Sequence, residues 1–209
     1  MKKETTKERI VTEAVKLFAK DGYEAVTVEQ IATAVGIKAP SLYKHYKSKK
    51  DIFESILEKM NQMDYERAKE YEMPEGTMDE IAKKYAQTPL LKIKIYSLAQ
   101  FLHWTEDEFP ANFRRMLTIE QFRSDDMSKL YQQYLGLGPV EYMADLFAQM
   151  TEDDANGMQL ALEFYSPIFL LYSMYDASSN SSEKKKITDM LSRHIERFAQ
   201  RLEAKYGIN

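Results

Sequence analysis

The sequence predicts an all-α protein: an N-terminal three-helix helix-turn-helix head joined by a long fourth helix to a C-terminal helical ligand-binding and dimerisation body, about nine helices in all. Three observations predict it. Glycine is scarce at 7 and proline at 6 among 209 residues, while charged residues make up 30%. Apolar residues recur at three- to four-residue spacing through most of the chain, the period of one helix face. Residues 27–49, TVEQIATAVGIKAPSLYKHYKSK, hold the start, turn and restart of two short helices in succession.

The first helix runs from about Thr5 to Lys20, with Ile10, Ala14, Leu17 and Phe18 as its buried stripe. Asp21-Gly22 stops it, and Tyr23 and Val26 fold back on the core. Thr27 and Gln30 have the spacing of a capping box, in which the hydroxyl accepts from a backbone N–H and the amide side chain reaches back. The helix they open, roughly 28–34, turns Ile31, Ala32 and Val35 inward. Gly36 stands where a tight turn wants positive φ, and Ile37 plugs the core. A second short helix occupies roughly 38–44, with Pro40 in its first turn, where a missing N–H costs little. Leu42 faces in, while Lys38, Ser41, Tyr43, Lys44 and His45 offer polar groups outward. Such a stretch places a helix and several side chains in a DNA major groove.

Ser48 caps the fourth helix, whose stripe is Ile52, Phe53, Ile56, Leu57, Met60 and Met63; MPEG at 73–76 breaks it. In the body, Pro89 starts a helix to about Thr105, and Pro110 opens another to about Leu135. Gly136-Leu137-Gly138-Pro139 is a break before helices at 140–150, 153–176 and 183–206. The expected division is a DNA-binding domain at 1–50 and a ligand-binding and dimerisation domain at 51–209.

Residues 1–50 hold eleven Lys and Arg against six Asp and Glu, a surplus of five in a chain whose net charge is −4. That asymmetry is the footprint of a basic reading head on an acidic body. Cysteine is absent, which suits a reducing cytoplasm and excludes thiol chemistry and disulfides. The start, MKKETTKERI, has no signal-peptide apolar region, and the longest charge-free run, Phe164–Tyr175, is too short to cross a bilayer. A cytoplasmic protein without membrane contact is expected.

The helix at 153–176 is apolar almost all round in its second half, so it needs cover on all sides. A second subunit supplies that cover if two helices per chain form an intermolecular bundle; the alternative is cover by the same chain. The residues expected at the dimer interface are Phe169, Tyr172, Leu191, His194, Ile195 and Phe198.

The N-terminal stretch resembles the tetracycline-repressor (TetR) family of bacterial transcriptional regulators. The matching residues are Arg9-Ile10, Ala14, Leu17-Phe18, Gly22-Tyr23, Val26-Thr27-Val28, Ile31-Ala32, Val35-Gly36-Ile37, Ser41-Leu42-Tyr43, His45-Tyr46 and Lys49, within roughly 5–57. The resemblance implies a homodimer that sets two heads on a palindromic operator, and a small molecule in the body that alters their separation. It implies that Thr27 caps the second helix and contacts phosphate, and that Lys38, Ala39, Pro40 and Ser41 lie at or near base edges. Tyr43 and His45 would contact the DNA backbone and Lys49 another phosphate, while Tyr46 either contacts phosphate or packs between helices three and four. The chemistry agrees, since lysine donates to guanine and Ala39 and Pro40 offer apolar contact to a thymine methyl. Glu29, where some members carry an arginine, departs from the pattern and leaves the operator this protein's own.

No glycine-rich phosphate loop, nucleophile elbow or HExxH appears, and three scattered histidines without cysteine make no zinc site, so neither an enzyme, a cofactor nor a metal is expected. Asp125-Asp126 and Asp153-Asp154 read as helix-start or solvated carboxylates. His103, beside Trp104, is either a structural or a ligand-sensing histidine. The body is rich in rings, and an inducer pocket is expected between the 89–135 helices and the 153–176 helix. Its candidate residues are Tyr96, Phe101, Trp104, Phe122, Phe147, Phe164 and Tyr165. Glu120 and Glu163, if inward, favour a cationic ligand, and Arg114 and Arg123 an anionic one. The expected function is a ligand-responsive repressor of a double-stranded DNA operator, released by a small lipophilic inducer. The alternative is a helical-bundle structural or interaction protein.

Overall fold

The computed structural model describes residues 4–153 and 155–207; Lys2, Lys3 and Asp154 of the expectations above lie outside them. Among the described residues the helices, in chain order, are α1 (Thr6–Asp21), α2 (Val28–Val35), α3 (Ala39–Leu42), α4 (Lys49–Glu70), α5 (Met78–Ala86), α6 (Leu90–Glu106), α7 (Glu108–Glu120), α8 (Asp125–Leu135), α9 (Leu137–Thr151), α10 (Gly157–Asp176) and α11 (Ser181–Tyr206). They form two compact units. The N-terminal unit is Met1–Ala68 with Glu106–Tyr131, and the C-terminal unit is Lys69–Thr105 with Gln132–Asn209.

In the N-terminal unit, Ile10, Ala14 and Phe18 of α1, Ile31 of α2, Leu42 of α3 and Ile52 and Ile56 of α4 are buried together. Ser48 starts α4 as expected, its hydroxyl accepting from the Asp51 N–H at 3.1 Å. The unit holding the helix-turn-helix is larger than residues 1–50. Helix α7 packs along α1 and contributes the fully buried Phe113, Met116 and Leu117. The single helix expected from Pro110 to Leu135 is two helices, because residues 121–124 leave the helical path. Ser124 then accepts from the Met127 N–H at 3.2 Å, with Asp125 and Asp126 in the first turn of α8. Carboxylates there complement the positive end of the helix.

In the C-terminal unit, α9 and α10 run closely packed, and α11 lies against α10. Gly157 permits the first of these contacts, since a Cβ there would lie 2.5 Å from the Ala144 carbonyl oxygen. Helix α5 stands where the sequence reading places no helix. It opens with a Thr-x-x-Glu capping box, Thr77 with Glu80. Pro167 sits inside α10 and removes one N–H from its ladder. Close to that gap, His194 Nε2 of α11 is 2.8 Å from the Phe164 carbonyl, a bond within the unit.

Candidate nucleic-acid interface and ligand cavity

The helix-turn-helix is set by local bonds. Thr27 Oγ1 accepts from the Gln30 N–H at 3.2 Å, and the Thr27 N–H donates to Gln30 Oε1 at 2.7 Å, so both halves of the capping box are present. Gly36 takes the left-handed conformation at φ 77° and closes α2. Its N–H donates to Thr33, and the Ile37 N–H donates to Ala32 at 2.9 Å, the paired bonds that end a helix on glycine. Lys38 is extended and exposed, and the chain re-enters a helix at Ala39-Pro40. Helix α3 is shorter than 38–44, but the Tyr43 and Tyr46 amides still bond back to Ala39 and Leu42, at 3.2 and 3.1 Å. This rigid turn leaves Lys38, Pro40, Tyr43, Lys44 and His45 exposed, Ala39 and Ser41 half-buried, and Leu42 inside.

Two expected DNA contacts have other partners in the structure. Tyr46 is buried, and its hydroxyl donates to the Lys7 carbonyl at 3.3 Å, so it packs inside the head. Lys49 donates to the carbonyls of Tyr23, Glu24 and Val26 at 2.7, 3.2 and 3.1 Å, and stands 4.4 Å from the Tyr23 ring centroid. The loop between α1 and α2 presents carbonyls that no helix satisfies, and the ammonium gathers three of them. Glu29 is exposed in the first turn of α2.

The C-terminal unit encloses a cavity of about 390 Å³, at the small end of the roughly 300–1,000 Å³ usual for ligand pockets. Six expected ligand residues line it: Tyr96, Phe101, Trp104, Phe147, Phe164 and Tyr165. Phe122 does not. It is 89% exposed on the α7–α8 connection of the N-terminal unit, where the broken helix turns it to solvent. The charged candidates also lie elsewhere. Glu120 is buried in the N-terminal unit, accepting from the Tyr23 N–H at 2.9 Å with Arg123 Nε at 3.3 Å. Arg114 is buried in that same unit, and Glu163 pairs with Arg201 at 3.7 Å. His103 is buried but does not line the cavity.

Among the described residues, no Asp, Glu, Lys, Arg or His lines the cavity. An ion placed there without a partner is penalised by several kcal/mol, while attraction of a cation to ring faces returns only about 0.5–2 kcal/mol. Tyr85 and Tyr142 also line the wall, and the ring-based reading missed Tyr85 because it sits on α5. The Thr77–Glu80 spacing was the signal that could have found it. Burial, followed by the neighbouring Tyr142 and Tyr96, pushes the Tyr85 phenol far above its ordinary range; burial alone raises Tyr142. Both stay protonated donors at neutral pH.

Residues 10–56 match the family model described as bacterial regulatory proteins, tetR family. The chain is 28% identical over 140 residues to IcaR, the negative transcriptional regulator of the biofilm operon icaADBC in Staphylococcus aureus, covering 61% of this chain and 70% of IcaR. It is 30% identical over 149 residues to the HTH-type transcriptional regulator YerO of Bacillus subtilis, covering 67% of this chain and 50% of YerO. The chain belongs to the TetR family. It is a transcriptional regulator with a DNA-binding helix-turn-helix, and the relatives it matches are regulators rather than enzymes. The fold agrees: the fatty acid degradation regulator FadR from Bacillus halodurans superposes with a TM-score of 0.61 at 16% identity, covering 95% of this chain and 96% of that one.

In this TetR-family chain the expected dimer residues divide. Tyr172, Leu191, Ile195 and Phe198 are buried in their own unit, where α10 and α11 turn them toward each other and the cavity. They are therefore not available to a partner. Phe169 is exposed, and His194 is half-buried against α10. The apolar side chains left exposed on the two helices are Met158, Leu162, Phe169, Leu170, Met174 and Met190. No helix among the described residues is long and apolar enough to cross a membrane.

Proposed function

We propose that this TetR-family regulator is a cytoplasmic homodimeric repressor that occupies a palindromic operator and releases it when a small lipophilic molecule enters the C-terminal cavity. The observation that carries the reading is the capped, glycine-closed turn that leaves Lys38, Pro40, Tyr43 and His45 exposed together. In this reading Lys38, Ala39, Pro40 and Ser41 meet base edges, and Thr27, Tyr43 and His45 hold the phosphate register. The repressing sense draws on the likeness to IcaR, a negative regulator. Dimerisation draws on the apolar side chains exposed on α10 and α11, Leu162, Phe169 and Met190 among them. The ligand acts only through different affinities for a DNA-competent and a mismatched head spacing. This reading assigns the change to α4, the helix that follows the reading head in the chain.

The test is a gel shift of the purified protein against its own upstream DNA, with the dimer confirmed by light scattering. No shift at low salt from a folded dimer would leave a helical-bundle protein without an operator. Replacing Lys38 with Ala should relax specificity at one base-pair position by about 1–3 kcal/mol, while Tyr43→Ala weakens binding uniformly across sequences.

A further inference from the structure

An ammonium has three N–H donors. Lys49 directs its donors at the carbonyls of Tyr23, Glu24 and Val26, at 2.7, 3.2 and 3.1 Å, and Glu24 Oε2 stands 4.0 Å away. To reach a DNA phosphate it would have to abandon those three acceptors. Lys50, the next cation in the chain, is paired with Glu54 at 3.8 Å. A duplex is nonetheless held chiefly by cations on its phosphates, so other lysines must meet that need at the end of α3.

Lys44 and Lys47 are placed to do so. Tyr43, Lys44 and His45 are three consecutive exposed residues between Leu42 and Tyr46, both buried. Those two side chains pin the turn on either side, and the Tyr46 hydroxyl donates to the Lys7 carbonyl at 3.3 Å. Lys47 follows, also exposed, with its backbone N–H donating to Asp51 Oδ2 at 2.9 Å. The Asp51 carboxylate is thus engaged by the backbone at the start of α4. Among the described residues neither the Lys44 nor the Lys47 ammonium has an ion pair or a hydrogen bond. The chain beneath each lysine is fixed while its charge stays in solvent, and a fixed backbone lowers the ordering cost of a contact.

We propose that Lys44 and Lys47 supply the phosphate contacts at the exit of α3 that Lys49, tied to the α1–α2 loop, does not make. They are positioning residues, adding affinity on any sequence and choosing none. The proposal rests on reading this turn as the surface that faces double-stranded DNA.

The test is filter-binding titration of the full-length protein with two duplexes, the DNA upstream of its own gene and a shuffled sequence of equal length, between about 50 and 200 mM KCl. The double variant Lys44→Gln, Lys47→Gln should flatten the slope of log affinity against log salt by about two for each head bound, since each phosphate contact contributes about 0.9. Both duplexes should weaken alike, leaving their affinity ratio within about twofold of the wild-type ratio. The variant Lys44→Arg, Lys47→Arg should restore the slope, and Lys49→Met should keep the wild-type value. An unchanged melting temperature reports that each lysine variant is folded. A wild-type slope in the glutamine variant overturns the proposal, as does a slope lost through Lys49→Met instead. Loss of preference for the upstream DNA at constant slope also overturns it, because the lysines would then read bases. If the wild-type protein binds both duplexes equally and the glutamine variant flattens both slopes, the phosphate assignment stands and the operator reading falls. Binding to neither duplex overturns both.

Discussion

In the N-terminal unit, ionic side chains hold loops and helix ends: Lys49 gathers three carbonyls between α1 and α2, Arg9 donates to the Val35 carbonyl at the end of α2, and Glu120 accepts from the Tyr23 N–H. Around the C-terminal cavity the wall is mostly rings, aliphatic side chains and methionines, with Ser97 and Gln100 and with no ion among the described residues. The contrast teaches how each region meets its demand. A half-buried ion requires its partners in fixed directions, so it locks backbone, and a surface that must match phosphates at set spacing needs locked backbone. A neutral wall makes no directional demand and re-packs around occupants of different shape.

The comparison breaks most visibly at Glu120. Its carboxylate is almost fully buried, and Glu120→Ala leaves the Tyr23 amide without its acceptor, so urea unfolding should lose about 2–3 kcal/mol. A loss under about 0.5 kcal/mol would show that this ion does not hold the turn. Next comes Lys49→Met, which should reduce stability by about 1–2 kcal/mol yet leave the salt dependence of DNA binding unchanged. A slope lower by about one, with stability intact, would return Lys49 to phosphate contact. On the neutral side, Tyr165→Phe removes the bond to the Leu135 carbonyl and should cost about 1 kcal/mol in thermal or urea melts.

The smallest effect concerns acid. The Asn156 side chain first, then the Tyr206 hydroxyl, hold the Asp153 carboxyl below its ordinary value of 3.8. A group depressed in the folded state adds stability above its unfolded value and loses it as pH falls through the folded one. Asp153→Asn should therefore lower stability slightly at neutral pH and leave it unchanged in acid, flattening part of the stability loss below about pH 4 in urea titrations at stepped pH. A loss as large in acid, with the carboxyl protonated, as at pH 7 would mean that packing, not titration, is being read.

Much of the head was legible because its signals are local. Thr27 with Gln30, Gly36, Pro40 and Ser48 each act within four residues, and each does in the structure what its spacing implies. The α7–α8 break carried a weaker signal, Ser124 before two aspartates, with no glycine or proline to mark it. The cavity was partly legible. Ring residues named it well, but Phe122 is as aromatic as Phe101, and sequence does not say which of the two faces solvent. Tyr172, Leu191, Ile195 and Phe198 were read as an interface for the same reason, since an apolar stripe looks alike whether a neighbour or a second chain covers it.

The sequence by itself determined the helical class, the caps and stops of the reading head and the identity of its exposed side chains, because those follow from hydrogen bonds and periodicities a few residues long. Only the tertiary structure decided that Lys49 ties a loop, that Glu120 is buried beside Tyr23, and that the cavity is lined without charge. A long side chain reaches several ångströms from its backbone, and a cavity is the space left where helices distant in sequence meet. Neither is recorded in any short stretch of chain.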